Sequence, residues 1–309
     1  MTVGIISHHK CSQHEMGDYH PESPKRMAAI QDQLIRSGLE YVIRQMDATP
    51  IDKAHIYLAH CPKYVDYIFD NAPTESGETF RLDDDTSMNS ASLPAALLSA
   101  GAAINAVDKV MDNSLNAVFC ATRPPGHHAE YNKGMGFCFF NNIAIAAAYA
   151  KKHYQLDRVA IVDFDVHHGN GTEDIVKNKD GYLFCSTYQY PFYPFEINES
   201  NTPPIINTPL EATSKGPEFR QAITENWLPA LHKFKPQLIF ISAGFDAHIE
   251  DEMSSISLTE ADYRWVTDQL KIVADTYAQG RIVSMLEGGY ALSALGRSVV
   301  EHIKGLIGN

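Results

Sequence analysis

The sequence predicts an α/β protein built on one doubly wound, mainly parallel sheet flanked by helices. Three observations predict it. Short apolar, β-rich runs alternate with helical patterns along the whole chain. Most of these runs are hydrophobic almost without interruption, as strands covered on both faces are. The clusters of chemically capable residues stand just after the runs, where open parallel sheets bind their ligands. No internal repeat or low-complexity linker divides the 309 residues, so a single domain, 1–309, is expected.

The expected strands, in order, are Val3–Ser7, Ala117–Ala121, Arg158–Asp165, Tyr182–Thr187, Leu238–Ser242 and Arg281–Glu287. Between them, helical periodicity marks Ser92–Met111, Asn141–His153, Glu218–Phe234, Thr259–Ala278 and Leu292–Ile307. Thr259-Glu-Ala-Asp262 resembles a capping box with Asp in place of Glu or Gln. The Pro/Asn-rich piece Pro191–Pro209 and the acidic piece Leu82–Asn89 read as long loops.

Composition narrows the function. Hydrophobic content of 44% and charged content of 20% describe an ordinary globular chain. The net charge is −13, and no Lys/Arg cluster relieves it, which argues against nucleic acid as a ligand. The most apolar stretch, Leu93 to Val110, carries Ser99, Asn105 and Asp108 and falls short of the ~20 residues of a membrane span. Five scattered cysteines, Cys11, Cys61, Cys120, Cys138 and Cys185, include no C-x-x-C and suit a reducing compartment. The N-terminus lacks the pattern of a signal peptide, so a cytoplasmic protein is expected.

Three constellations carry chemistry. In the first, Asp163, Asp165 and His167 close a strand, where residues two apart share a face. Asp165 and His167 can converge on one ion, with Asp246 from another strand end as third ligand. Two Asp oxygens and one His nitrogen leave an open position, as a hydrolytic Zn²⁺ site requires. In the second, the pair His127-His128 follows Arg123-Pro-Pro-Gly. A neutral imidazole beside a metal can take a proton from water and return one to a leaving amine. Asp163 can orient one ring and Asn170 the other. In the third, Glu287-Gly-Gly-Tyr290 can place a phenol against a developing oxyanion. There is no G-x-S-x-G, G-x-G-x-x-G or P-loop, so serine-nucleophile and nucleotide chemistry have no support.

Together these motifs resemble the histone deacetylase superfamily over nearly the whole chain. His20-Pro-Glu-Ser-Pro-Lys-Arg26, Arg123–Ala129, Gly134–Cys138, Asp163–Gly171, Ser242–Asp246 and Glu287–Tyr290 match its motifs in order. The Pro-Pro before the His pair, the A-G-F-D, the E-G-G-Y and Asn170 resemble the class II branch and its bacterial amidohydrolase relatives. The resemblance implies a three-layer arginase–deacetylase-like fold and hydrolysis of an acylated amine. It implies one Zn²⁺, or Fe²⁺ in vivo, at Asp165, His167 and Asp246, with His127, His128, Asp163, Asn170 and Tyr290 as the catalytic set. It further implies a structural K⁺ on Asp163, Ser186 and the backbone carbonyls of Asp165, His167 and Thr187. The acyl tunnel is expected at Gly136, Phe137 and Tyr193, and Arg26 resembles the arginine of an acetate-exit channel.

The substrate stays open between an acetyl-lysine protein or peptide and an acetylated polyamine, and a non-enzymatic acyl-lysine binding module is the rival outside enzymes. Counting seven residues from Asp246 places apolar Met253 at the tunnel mouth, where polyamine-directed relatives carry Glu. That count favours acyl-lysine. The alternative cation sites are the loop Asp83-Asp84-Asp85 and the run Glu250-Asp251-Glu252. Two-metal arginase-type enzymes need further carboxylates where this chain has Gly169 and His248, which leaves His248 as an accessory ligand at most.

Overall fold

A computed structural model describes residues 2–195 and 201–308. Its main sheet has nine strands among the described residues: β1 (Val3–Ser7), β2 (Arg44–Asp47), β5 (Ala117–Cys120), β6 (Val159–Asp163), β7 (Tyr182–Gln189), β8 (Asn201–Thr202), β9 (Ile205–Leu210), β10 (Leu238–Ala243) and β11 (Ile282–Leu286). They lie in the order β2-β1-β5-β11-β10-β6-β7-β9-β8, and every pairing is parallel except β8 with β9. The small hairpin of β3 (Phe80–Arg81) and β4 (Ser87–Met88) carries the acidic loop on its tip.

Helices cover both faces, giving three layers. One apolar core joins the sheet to α4 (Ser92–Met111) and α5 (Asn142–His153). The other joins it to α1 (Lys25–Arg36), α9 (Glu260–Tyr277), α10 (Leu292–Ile307) and the segment from Gly216 to Phe234. Each central strand feeds both cores in alternation: Val159 and Ile161 face the first, Ala160 and Val162 the second. This two-sided burial is why those strands read as unbroken apolar runs.

Several boundaries move. The strand expected at Arg158–Asp165 ends at Asp163, so Phe164 and Asp165 already belong to the connection beyond it. The expected helix Glu218–Phe234 starts at Gly216 and is interrupted: α7 (Gly216–Ala222) gives way to a π turn at Ile223–Trp227 and then to α8 (Leu228–Phe234). Pro229 cannot supply the amide that an unbroken ladder needs, and the wider turn accommodates this. The expected loop Pro191–Pro209 holds β8 and most of β9. Pro209 is exposed and lies beyond the two residues of β9 that pair with β8. Polar edge strand β2, α1, the short α2 (Lys53–Ile56), α3 (Pro62–Asn71) and α6 (Asn170–Val176) add to the sequence reading. The capping box at Thr259 forms, with Asp262 accepting from the Thr259 amide at 2.9 Å. All five cysteines are free, and all but Cys61 are buried. Among the described residues no helix is long and apolar enough to cross a membrane.

The strand ends are level. Cys120, Met285, Ser242, Asp163 and Ser186 form one row across β5, β11, β10, β6 and β7. These five neighbouring strands therefore deliver their following residues to one edge of the sheet.

Candidate active site

At that edge, Asp165, His167 and Asp246 bring one ligand atom each within 4.8 Å of one another, and all three are buried. His167 Nδ1 lies 3.0 Å from Asp165 Oδ1 and 3.2 Å from Asp246 Oδ2. Backbone amides fix the carboxylates: Gly288 N–H donates to Asp165 Oδ2 at 2.8 Å, and Val166 N–H to Asp246 Oδ1 at 2.9 Å. Asp246 Oδ2 accepts no hydrogen bond among the described residues although it is buried. Glycines make room around the carboxylates. A methyl group on Gly288 would stand 2.1 Å from Asp246 Oδ2, and one on Gly244 would stand 2.0 Å from Asp165 Oδ2.

This donor set fits a divalent cation. Two carboxylates share a buried site, and a buried charge needs a counter-charge. Burial and the neighbouring Asp165 hold the Asp246 carboxyl above its ordinary pKa. Burial acts the same way on Asp165, but the charges of His127 and His167 outweigh it and lower its pKa. The unsatisfied Asp246 oxygen faces the same cluster.

The two histidines stand side by side, ring centroids 4.0 Å apart, and differ in their partners. His127 Nδ1 meets Asp163 Oδ2 at 2.9 Å, and its Nε2 lies 3.8 Å from Asp165 Oδ1. His128 Nδ1 meets Asn170 Oδ1 at 2.7 Å, and the Asn170 amide donates onward to Glu130 at 2.8 Å. Burial opposes charge on both rings. At His127 the carboxylates of Asp163 and Asp165 overcome it and raise the pKa to about 10. His128 is held well below the usual imidazole range by burial and by the neighbouring His127 and His167. Adjacent imidazoles are thus pushed in opposite directions, the pattern expected of groups with different protonation roles.

Gly136 and Phe137 form the tight turn beside them, both with positive φ, and Met135 and Cys138 close it by mutual backbone hydrogen bonds. A side chain on Gly136 would collide with the His128 ring at 2.5 Å. Phe137 lies 6.0 Å from the Tyr290 ring, edge to face. Tyr193 stands edge-on to His128 at 5.2 Å. Its neighbour Phe192 stacks on His167 at 5.2 Å; no pattern in its proline-rich surroundings singles it out. Tyr290 is half-buried, with the Arg26 guanidinium 5.1 Å above its ring. Arg26 donates to Gly289 O at 2.7 Å and to Glu22 at 3.1 Å. Glu22 also receives the Arg123 side chain, so one buried carboxylate faces two buried guanidiniums.

Ser186 pairs in register with Asp163, and its hydroxyl meets His168 Nδ1 at 3.1 Å. The half-buried Met253 donates its N–H to Asp251 Oδ1 at 3.0 Å. His248 belongs to a different group, with Glu250 and Glu260, so it is not an accessory ligand at the main cluster. Nor does the run Glu250–Glu252 form one cation site: Glu250 pairs with Arg297, Asp251 is buried against backbone amides, and Glu252 is exposed. Glu287 is a residue to which the motif alone assigned no task. It accepts from the Gly126 and His127 amides at 2.7 and 3.1 Å and from Ser242 at 3.0 Å, so it fixes the backbone of the His pair.

Comparison with known proteins gives the family. Residues 20–306 match the histone deacetylase domain. The chain is 34% identical over 99% of its length to type-2 histone deacetylase 2 of Dictyostelium discoideum, of which it spans only 21%. It is 33% identical over 93% of its length to a histone deacetylase-like amidohydrolase of Pseudomonas aeruginosa, covering 77% of that protein. Against a human protein named polyamine deacetylase it is 32% identical over 93% of its length, covering 45% of that protein. The crystal structure of the HDA15 HD domain superposes with a TM-score of 0.92 at 29% identity, covering all of this chain and 88% of that one. The chain belongs to the histone deacetylase domain family and is a hydrolase of that family.

Proposed function

We propose that residues 1–309 form one catalytic domain that hydrolyses the amide of an acylated amine, acetyl-lysine or a related acyl amide. The observation that carries the reading is the convergence of Asp165, His167 and Asp246 beside the oppositely tuned His127 and His128. Asp165, His167 and Asp246 would hold one Zn²⁺ or Fe²⁺. Such an ion would supply Lewis acidity toward the acyl carbonyl, a water of lowered pKa, and charge to offset the carboxylates around His127.

The chain's own groups account for the remaining steps. His128, aligned by Asn170 and held neutral by burial and its cationic neighbours, accepts a proton from the attacking water. His127, aligned by Asp163 and kept protonated by the carboxylates beside it, delivers a proton to the departing amine. Tyr290 donates its phenolic hydrogen to the acyl oxygen as charge develops there. Its pKa, pushed well above 10 by burial and by Asp246 and Asp165, keeps it a donor throughout. Gly136, Phe137, Tyr193 and Met253 would wall the acyl and alkyl chain. Arg26 would lead the released acid inward, where two guanidiniums outnumber one carboxylate. A K⁺ on Asp163, Ser186 and the carbonyls of Asp165, His167 and Thr187 would brace the loop after β6. The reaction would run in the cytoplasm, consistent with five unpaired thiols.

An acetylated polyamine is the second reading. The human relative's name supports it, as does the acidic loop Asp83–Asp85 close to Phe137, whose amide donates to Thr86 Oγ1 at 2.9 Å. The test is a turnover panel with metal-replete protein, acetyl-lysine peptides against acetylated polyamines. Faster hydrolysis of the peptides supports the first reading. Preference for the polyamines replaces it with the second, and no hydrolysis of either overturns both.

A further inference from the structure

The run Glu250-Asp251-Glu252 puts three carboxylates in a row and turns only the middle one inward. Asp251 is buried, and its carboxylate accepts three backbone hydrogen bonds. Tyr290 N–H donates to Oδ2 at 2.6 Å, Ala291 N–H to Oδ2 at 2.9 Å, and Met253 N–H to Oδ1 at 3.0 Å. Asp251 is itself seated by its own N–H on His248 O at 2.8 Å, and the Ser254 hydroxyl donates to Asp246 O at 2.9 Å. One short loop therefore holds Asp246 at its start and, through Asp251, the backbone of Tyr290.

We propose that Asp251 is a positioning residue for the hydrolysis, setting where the Tyr290 phenol stands relative to Asp246. This rests on the reading of Tyr290 as the donor to the acyl oxygen. Tyr290 needs such an anchor. It follows Gly288 and Gly289, the latter at φ +120°; that turn is held at Gly288 by Asp165 and at Gly289 by Arg26, and neither contact reaches the Tyr290 amide. Its ring contacts, Phe137 edge-on at 6.0 Å and Arg26 at 5.1 Å, leave it half-exposed. Behind it begins α10, whose cap residue Ala291 has no side-chain acceptor. Asp251 supplies from a distant loop the anion that a helix start favours. Charge-assisted bonds to two successive amides fix both the position and the direction of the backbone that carries the phenol. Met253 hangs on the other oxygen of the same carboxylate, which links the expected tunnel mouth to the oxyanion donor.

A double-mutant cycle tests the assignment. Asp251→Asn keeps the size of the side chain but turns an amide donor toward donors. It is compared with Tyr290→Phe and with the double variant, using the better of an acetyl-lysine peptide and acetylspermidine. Asp251→Asn should lower kcat about 10- to 100-fold, the order expected of a displaced catalytic group. KM should stay within about twofold and bound metal per chain should not change. In the Tyr290→Phe background the same substitution should cost less than about threefold, because its effect acts through the phenol. Asp251→Glu, which keeps the buried charge and moves it by one methylene, provides the same comparison if the Asn variant fails to fold. An equal loss in both backgrounds, a loss confined to KM, or no loss at all overturns the positioning role. A Tyr290→Phe enzyme with normal turnover overturns instead the reading of Tyr290 on which the role rests.

Discussion

Asn170 presents its amide oxygen to His128 Nδ1 at 2.7 Å, while the neighbouring His127 is met by the carboxylate of Asp163. A neutral partner stabilises an imidazolium less than a carboxylate does. The asymmetry keeps His128 the weaker base of the pair, neutral and able to accept a proton. Asn170→Asp would place a negative charge on Nδ1 and favour the protonated ring. A limb of the pH–rate profile should then move to higher pH. A profile that superposes on the wild type would show that His128 does not titrate in that range or does not depend on Asn170.

Metal binding is predicted to be mononuclear. Elemental analysis of the loaded protein should give one transition ion per chain, and exhaustive chelation should abolish turnover. Asp246→Asn removes one charged ligand and should lose the metal while the fold persists. The thermal shift on adding Zn²⁺ to apo-protein should therefore be large for wild type and small for the variant. Two ions that are both lost in Asp246→Asn would contradict a mononuclear site at Asp165, His167 and Asp246.

Tyr290→Phe removes one hydroxyl and touches none of the proposed metal ligands. It should keep bound Zn²⁺ and substrate affinity and lose on the order of 10²–10³ in kcat, as for one oxyanion donor. Normal turnover would reduce the E-G-G-Y segment to a turn.

Much of this site was legible because its residues follow buried strands. Val159–Asp163 and Leu238–Ala243 are apolar from end to end, so their ends are marked and Asp165, His167 and Asp246 stand where a parallel sheet opens. What stayed hidden lacks such a mark. The exposed edge strand Arg44–Asp47 shows no hydrophobic run, since only one neighbour pairs with it. Strand Ile205–Leu210 contains Asn207 and Pro209 and sits in a segment whose composition reads as loop. Asp251 and Glu287 act on backbone amides far away in sequence, and residue type alone does not reveal such partners. Phe192 is a similar case, found only once the chain brings it onto His167.

Buried neutral histidines away from the site give a stability prediction. His302 lies between Thr267 Oγ1 at 2.7 Å and Ser284 Oγ at 2.8 Å, and burial lowers its pKa to about 3. Unfolded, it titrates near 6.5. The folded state thus binds fewer protons between these values, and the contribution of His302 is present above pH 6.5 and lost as pH falls toward 3. Glu287, raised to about 7 by burial, works in the opposite sense over part of the range, so a difference measurement is needed. Between pH 6.5 and 4.5 the unfolding free energy of wild type should fall about 2 kcal/mol more than that of His302→Gln. Parallel curves from urea titrations at each pH would refute the assignment.

The choice between substrates rests on Met253. It is half-buried, its amide is pinned by Asp251, and it lies seven residues past Asp246 in a loop tied at both ends. A backbone held in this way fixes where the side chain starts, while the thioether itself stays flexible. The thioether can pack against an alkyl chain but cannot pair with a distal ammonium. The acidic neighbours do not substitute for it: Glu250 is engaged by Arg297 at 2.5 Å, and both oxygens of Asp251 are taken by backbone amides. Acyl-lysine or another acyl amine lacking a nearby second cation is therefore the expected substrate. Met253→Glu would add a carboxylate on a loop whose backbone is already anchored. The ratio of kcat/KM for acetylated polyamines over acetyl-lysine peptides should rise roughly tenfold, equivalent to one partly desolvated ion pair of ~1.4 kcal/mol. A wild-type enzyme that already prefers acetylated polyamines strongly would show that cation recognition lies elsewhere. The exposed carboxylates of Asp84 and Asp85 beside half-buried Asp83 would then be the groups to replace.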